Sequence, residues 1–282
     1  MPYCKNFFIL VCFLLLVTGC TSAAAPSMPA GYNWAQAKVV RLEPVLDEIS
    51  GICYEPKLNA FLAINDEKGK VYALDAAQLR VVKEFPFAGK GDYEEIVRTD
   101  DSWYVLRSDG RLWEMQFDGS NVSGVKEYRY SGKTAEFEAM YWDKTVNRLV
   151  LIVKKAKRDT EDKTSYGYAF DIGSKTFSDV PVLNIPWSSV AEKAGIKLKT
   201  FHPSAAAVNP FTGEVYVLAS IEKLLVVLDT NHVVLSVHQL DPAKCLQPEG
   251  ISFDPKGNLY ISNEAAGTIP NIVVFPYQSK TR

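Results

Sequence analysis

The chain has 282 residues and a formal net charge of −2, with 31 lysines and arginines against 33 aspartates and glutamates. It contains no basic stripe, and this balance excludes the electrostatic footprint typical of a nucleic-acid-binding protein. The length is sufficient for one sizeable all-β domain in addition to an N-terminal targeting segment.

The first 20 residues are predicted to be a secretory signal. Lys5 precedes a short apolar run at residues 7–17, which is too short for a comfortable transmembrane span. The following Thr18-Gly19-Cys20 completes a sequence similar to the bacterial lipoprotein signal, in which the cysteine is lipidated. The alternative is an ordinary signal peptide that contains a cysteine.

A lipid on Cys20 would anchor the mature protein without spanning the membrane. Thr21 stands where retention in the inner membrane usually has aspartate, so we expect an outer-membrane lipoprotein of the cell envelope. Residues 21–36 are rich in Ser, Ala, Pro and Gly and are predicted to be a flexible tether. Residues 37–282 then form the domain.

A sequence unit recurs through this domain. Each copy opens with Ser or Glu, continues as two short strands, and adds a third and a fourth strand. The opening positions are Ser50, Glu94, Glu138, Ser204 and Glu249, at intervals of 44, 44, 66 and 45 residues. A period of 40 to 45 residues with several strands is typical of a β-propeller.

The last copy is the clearest and also the shortest. Residues 248–264 read as a hairpin around an Asp-Pro-Lys-Gly-Asn turn, so Glu249 and Glu264 should lie side by side. Too few residues follow for a fourth strand, and residues 38–42 are predicted to supply it. The fold class is therefore all-β, a five-bladed β-propeller with four-stranded antiparallel blades whose N-terminal strand closes the last blade.

The longest interval contains two additional features. Residues 154–163 are predicted to be a charged loop, either a solvated excursion or a basic rim that attracts an anion. Residues 187–194, between Pro186 and Gly195, are predicted to form a short helix.

Carboxylates are expected to converge at one mouth of the channel, because the first strand of each blade lines the propeller axis. Hard oxygen ligands of this kind suit Ca²⁺. The predicted metal ligands are Glu94, Glu138, Glu249 and Glu264, with supporting contacts from Ser50, Ser204 and Asn263. The alternative is that these glutamates bind backbone N–H groups or arginines and only close the blades.

His202, on the same rim, is the one candidate for a catalytic base. The alternative is that this histidine serves only as a structural hydrogen-bond donor. The chain contains neither a nucleophile elbow nor a phosphate loop. Cys53 and Cys245 fall in neighbouring blades of a closed ring. The sequence allows either a disulfide between them or two separate thiols.

The set of motifs resembles the SdiA-regulated family of exported bacterial proteins. The motifs that carry the resemblance are Ile49–Ile52, Asp92–Ile96, Phe137–Met140, His202–Ser204 and Pro248–Ile251. The resemblance covers most of residues 38–277 and implies a five-bladed propeller, distantly similar to NHL-repeat proteins, with a calcium site on the channel. Glu95, Ala139 and Lys154 depart from the pattern.

Two functions compete at this point. The first is a calcium-binding, outer-membrane-anchored propeller that binds a carbohydrate, a peptide or an envelope protein at the channel mouth. The second is a calcium-dependent lactonase or esterase, in which the metal polarises a carbonyl group. Only His202 could serve as a catalytic base, so the first function is favoured. We also expect the protein to be a monomer.

Overall fold

A computed structural model describes residues 25–118, 120–132 and 135–279. The predicted signal peptide, the lipidation site at Cys20 and residues 21–24 of the tether lie outside this range. Neither α-helix in the described part of the chain has the length and apolar character that a membrane crossing requires.

Five antiparallel sheets form the five blades of a propeller. The first blade contains β2 (Ile49–Glu55), β3 (Ala60–Asn65), β4 (Lys68–Asp75) and β5 (Val81–Lys90). The second contains β6 (Tyr93–Arg98), β7 (Ser102–Arg107), β8 (Arg111–Phe117) and β9 (Val122–Arg129). The fourth contains β15 (Pro203–Val208), β16 (Val215–Ala219), β17 (Leu224–Leu228) and β18 (Val234–Gln239).

The third blade carries the extra residues of the long repeat interval. Its strands are β10 (Glu136–Asp143), β11 (Arg148–Lys155), β12 (Thr164–Asp171), β13 (Thr176–Phe177) and β14 (Leu183–Pro186). Both β13 and β14 pair with β12, so two short strands replace the one outer strand that the sequence predicts.

Two helices flank this blade. Helix α1 (Lys157–Asp162) lies where the sequence predicts a loop, and i,i+4 ion pairs join Lys157 to Glu161 and Arg158 to Asp162. Helix α2 (Trp187–Ala194) is confirmed, and it ends at Gly195 in the left-handed conformation.

The fifth blade joins the two ends of the domain and confirms the predicted closure. It contains β19 (Pro248–Phe253), β20 (Leu259–Asn263), β21 (Asn271–Phe275) and β1 (Lys38–Arg41). The outer strand β1 runs antiparallel to β21, with Val39 opposite Val273. The backbone groups of β21 therefore have partners on both sides, and the chain termini are tied together.

The hydrophobic core consists of five clusters, each between two adjacent blades. Strand β3 is an example of a middle strand that is buried on both faces. Leu62 and Ile64 are buried against the second blade, whereas Phe61 and Ala63 are buried against the fifth. Because side chains alternate across a strand, a middle strand of a propeller needs apolar residues at nearly every position.

Candidate functional site

The recurring sequence position has a shared structural role. In the pairing of each innermost strand with its neighbour, the ladder skips a residue, which marks an irregularity of the β-bulge type. The skipped residues are Ser50 with Gly51, Glu94, Glu138, Ser204 and Glu249. A bulge removes a residue from the regular ladder and redirects its side chain. The repeat thus marks one irregular position at the same end of every blade.

The carboxyl groups at this end of the channel form an acidic mouth, which we define as Glu48, Asp66, Glu94, Glu138, Glu249 and Glu264. Burial and then the charge of Glu138 raise the pKa of Glu94 to about 10. Burial and then the charge of Glu249 raise the pKa of Glu264 to about 8. Both shifts indicate that Glu94 and Glu264 are partly desolvated and lie beside other carboxylates that repel them.

Three members of the acidic mouth form a compact group. One carboxylate oxygen from each of Glu48, Asp66 and Glu264 lies within 4.8 Å of the other two. Glu48 precedes β2, Asp66 follows β3, and Glu264 follows β20, so the group lies between the first and fifth blades.

Asp66 has the clearest need for a partner in this group. Burial, followed by the charge of Glu48, raises the pKa of Asp66 to about 6. Its buried Oδ1 atom has no hydrogen-bond partner among the described residues. An unpartnered carboxylate oxygen on a residue that lies beside two other carboxylates fits a hard divalent cation, because such a cation supplies the missing positive charge and accepts oxygen ligands.

Glu138 has a different environment at the same mouth. Its Oε1 atom pairs with Nζ of Lys154, and its buried Oε2 atom has no partner among the described residues. Burial raises the pKa of Glu138 to about 8, although the attraction of Lys154 acts in the opposite direction. Lys154 therefore supplies a fixed cation to this side of the mouth.

Of the four predicted metal ligands, only Glu264 belongs to the compact group. Glu94, Glu138 and Glu249 lie at the same mouth but outside that group. Burial raises the pKa of Glu249, and Ser220, Lys154 and Lys223 act against this increase. The mouth therefore combines a three-carboxylate group with a second set of glutamates that faces two lysines.

The predicted supporting residues make contacts between and within blades. The Ser204 hydroxyl donates to the carbonyl oxygen of Pro248 at 2.8 Å, which ties the fourth blade to the strand that bears Glu249. The carbonyl oxygen of Ser50 accepts a hydrogen bond from the Ser262 hydroxyl at 2.9 Å. Asn263 donates to Oδ1 of Asn271 at 3.1 Å, and its buried Oδ1 atom has no partner among the described residues.

His202 is held in a defined orientation. Its Nδ1 atom lies 2.8 Å from Oε1 of Glu222, and its backbone N–H donates to Oε2 of the same carboxylate at 3.2 Å. A carboxylate on Nδ1 fixes the tautomer and leaves Nε2 as the basic atom of a neutral imidazole. Within the described range, Cys53 and Cys245 are both free thiols and form no disulfide.

Sequence reasoning missed Glu48 and Asp66. A signal for Asp66 was present, because Asn65-Asp66 ends the second strand of the first blade as Asn263-Glu264 ends that of the fifth. Glu48 has no counterpart of this kind, and only the folded chain brings it to Asp66, whose backbone N–H donates to the Glu48 carbonyl oxygen at 3.0 Å.

The model of one protein family matches residues 27–272, under the description SdiA-regulated. The chain belongs to the SdiA-regulated family. No curated protein sequence matches this SdiA-regulated chain.

Solved structures with the same fold are distant in sequence. Glutaminyl cyclase of Myxococcus xanthus is 13% identical with a TM-score of 0.56, over 86% of this chain and 97% of its own. A glucose dehydrogenase is 10% identical with a TM-score of 0.53, over 86% of this chain and 100% of its own. The calcium-binding protein regucalcin of Agrobacterium tumefaciens is 10% identical with a TM-score of 0.48, over 88% of this chain and 95% of its own. At these identities the likeness to the cyclase and to the glucose dehydrogenase concerns the fold of this SdiA-regulated chain and says nothing of its activity.

Proposed function

We propose that this SdiA-regulated protein is an outer-membrane-anchored, calcium-binding propeller that binds a ligand or partner at its acidic mouth. The observation that supports it is the group of Glu48, Asp66 and Glu264, whose carboxylate oxygens lie within 4.8 Å of one another. Like charges this close are unfavourable at a site where Asp66 and Glu264 are half-buried, and a bound divalent cation removes the repulsion.

The donor set favours calcium over the other common metals. The group consists of carboxylates alone, without the thiolates and imidazoles that zinc prefers. It lies at the junction of two blades, on residues that precede or follow strands, and Ca²⁺ tolerates the irregular geometry that such ligands provide better than Mg²⁺ does. Glu48, Asp66 and Glu264 would hold the ion, and Glu249 would add negative charge nearby.

The same mouth offers both signs of charge to a ligand. A calcium ion with open positions accepts hydroxyl or carboxylate oxygens, and Lys154 and Lys223 provide cationic donors beside Glu249. A carbohydrate, a peptide or an envelope protein that presents oxygen atoms fits this combination. The lipid on Cys20 would hold this surface at the membrane.

Direct calcium titration tests the proposal. Isothermal titration of the chelator-treated full chain should give one site for Ca²⁺. Glu264→Gln should weaken binding at least tenfold, because it removes a charged ligand and keeps the shape. Glu192→Gln is the matched control, because Glu192 is exposed on α2 and the change in charge is the same. A parent protein that takes up no Ca²⁺ at millimolar concentration would overturn the proposal.

A second function, a calcium-dependent lactonase or esterase, is supported by the pairing of His202 with Glu222. An imidazole oriented by a carboxylate is the arrangement a general base requires. Aryl-ester and lactone hydrolysis by the calcium-loaded protein, lost in His202→Gln and kept in His238→Gln, would favour the enzyme. Equal rates with the parent protein and with His202→Gln would exclude a catalytic role for this residue.

A further inference from the structure

The channel has a second mouth at the opposite end of the ring, which we call the lower pocket. It is a cavity of about 420 Å³, and the C-terminal ends of all five innermost strands contribute to its wall. This volume lies within the range of small-molecule sites, which is roughly 300–1,000 Å³. The residues on which the argument depends are Tyr54, Arg98, Trp142, Val208 and Phe253.

The lower pocket is separated from the acidic mouth by Glu95. This buried side chain reaches across the channel from the second blade, and its Oε2 atom accepts a hydrogen bond from the Ala206 N–H of the fourth blade at 3.3 Å. On the first blade, a Cβ atom at Gly51 would lie only 2.2 Å from Oε1 of Glu95. The channel is filled at this level, so the lower pocket has a closed floor and its own chemistry.

Four aromatic residues from three blades line this space, namely Tyr54, Tyr141, Trp142 and Phe253. Tyr54 and Trp142 are half-buried, and Phe253 is almost fully buried. Val208 of the fourth blade adds an aliphatic surface at the rim. Rigid aromatic walls that converge from separate strands favour a flat apolar body, which they contact by stacked and edge-on packing.

One cation projects into this apolar wall. Arg98 is held by its Nε atom, 3.5 Å from Oε2 of Glu55, and by Nη2, which donates to the Asp100 carbonyl oxygen at 3.4 Å. The Glu55 carboxylate is already occupied, because it accepts from the Trp103 indole N–H at 2.7 Å and from the Lys57 N–H at 2.8 Å. Among the described residues Nη1 of Arg98 donates no hydrogen bond, so an oriented donor remains for a ligand.

The acidic residue of the lower pocket is engaged in its own turn. Asp254 accepts from the backbone N–H groups of Lys256 and Asn258 at 2.8 and 2.9 Å. Its Oδ2 atom accepts from the Asn258 amide at 2.7 Å and from the Tyr260 hydroxyl at 3.2 Å. With these acceptors satisfied, Arg98 is the charged side chain of the pocket that retains a free hydrogen-bonding group among the described residues.

We propose that the lower pocket is a binding site for an aromatic monocarboxylate. The aromatic body packs among Tyr54, Trp142 and Phe253, and the carboxylate accepts hydrogen bonds from the guanidinium of Arg98. Such a charge-assisted pair discriminates strongly between a carboxylate and a neutral group of the same shape. This site does not depend on calcium or on the acidic mouth.

The experiment compares two probes of the same shape on the full chain. Isothermal titration with 2-naphthoate and with 2-naphthamide should show at least tenfold tighter binding of the carboxylate. In Arg98→Gln the preference should fall to less than threefold. Arg41→Gln, which changes an exposed arginine on β1, should retain the parent preference. Equal affinity for the two probes, or an unchanged preference in Arg98→Gln, would overturn the proposal.

A second variant covers the case in which Arg98→Gln does not fold. Val208→Trp places a large ring at the rim of the pocket and should abolish binding of 2-naphthoate. Calcium and chelator should leave the affinity of the parent protein unchanged. Failure of 2-naphthoate to bind the parent protein, or full binding to Val208→Trp, would show that the lower pocket is not this site.

Discussion

Oε2 of Glu95, in the second blade, accepts a hydrogen bond from the backbone N–H of Ala206, in the fourth blade, at 3.3 Å. The two blades are not neighbours in the ring, so this bond crosses the channel axis. Oε1 of the same side chain accepts from the Ile96 N–H at 3.1 Å. Burial raises the pKa of Glu95 well above its usual range, while the two N–H donors oppose that increase. The central carboxyl group thus links opposite walls of the propeller.

Glu95→Ala should lower the free energy of unfolding by about 2 to 4 kcal/mol, because it leaves a cavity in the channel and a buried N–H of Ala206 without its partner. Chemical denaturation of the parent and the variant measures the difference. Glu43→Ala, at an exposed glutamate, is the control and should change stability by less than about 0.5 kcal/mol. Equal losses in the two variants would contradict the structural role of Glu95.

Calcium should raise the melting temperature of the parent protein by several degrees, because an ion that binds only the folded ring stabilises it by about 2 to 4 kcal/mol at saturation. Scanning calorimetry in chelator and in millimolar Ca²⁺ measures the shift. Asp66→Asn and Glu264→Gln should each remove most of the response, whereas Glu192→Gln should preserve it. Identical melting temperatures of the parent protein in both buffers would contradict calcium binding and would mean that the carboxylates have only a structural role.

Stability in chelator should fall as the pH rises from about 4.5 to 8. The folded-state pKa of Glu264, about 8, lies above its ordinary value of 4.5, so the folded protein binds more protons than the unfolded chain within this window. Burial is the main cause of the raised pKa of Glu264, and the charges of Glu249, Glu48, Asp66 and Glu138 add to it. Melting curves in chelator at pH 5, 6.5 and 8 test whether stability falls as the pH rises.

Glu264→Gln provides the control for this pH dependence, because glutamine does not titrate and the slope should become shallower. Calcium requires ionised carboxylates, so the gap between the calcium and chelator curves should widen from pH 5 to pH 8. A parent protein whose stability rises over this range in chelator would contradict the assignment.

Replacing residues 38–42 with a Gly/Ser segment of equal length should lower the melting temperature by several degrees or cause aggregation. The replacement removes the β1 ladder and exposes the edge of β21. In the control, Lys38→Ala with Arg41→Ala, two exposed side chains are lost but the backbone pairing remains, so melting should be nearly unchanged. Unaltered melting after the Gly/Ser replacement would show that the pairing contributes little.

Cys20→Ser should move the protein from the membrane fraction to the soluble periplasmic fraction, because it removes the residue that we expect to carry the lipid. Immunoblotting of fractions and the intact mass of the mature protein measure the change. Cys53→Ser, within the folded domain, is the control and should leave partitioning as in the parent. A parent protein without the mass of a lipid would contradict the lipoprotein assignment.

The sequence by itself determined the architecture. The spacing of Ser50, Glu94, Glu138, Ser204 and Glu249 predicted five units, and the short last unit predicted that residues 38–42 would complete it. These features are readable because each blade repeats the same local pattern of strands and turns, which depends on alternation and turn residues within about 45 positions.

Only the tertiary structure decided how the acidic residues are grouped. Glu264 is far from Glu48 and Asp66 in the chain, and it meets them because closure of the ring places the first blade beside the fifth. Glu48 and Asp66 meet within the first blade, at the open end of the β2–β3 hairpin. The bond from Ala206 to Glu95 likewise joins two blades that no local pattern connects, whereas Lys154 meets Glu138 within the β10–β11 hairpin of the third blade. The sequence specifies the end of the blade at which a side chain lies, whereas distances between side chains from different blades depend on the packing of the whole ring.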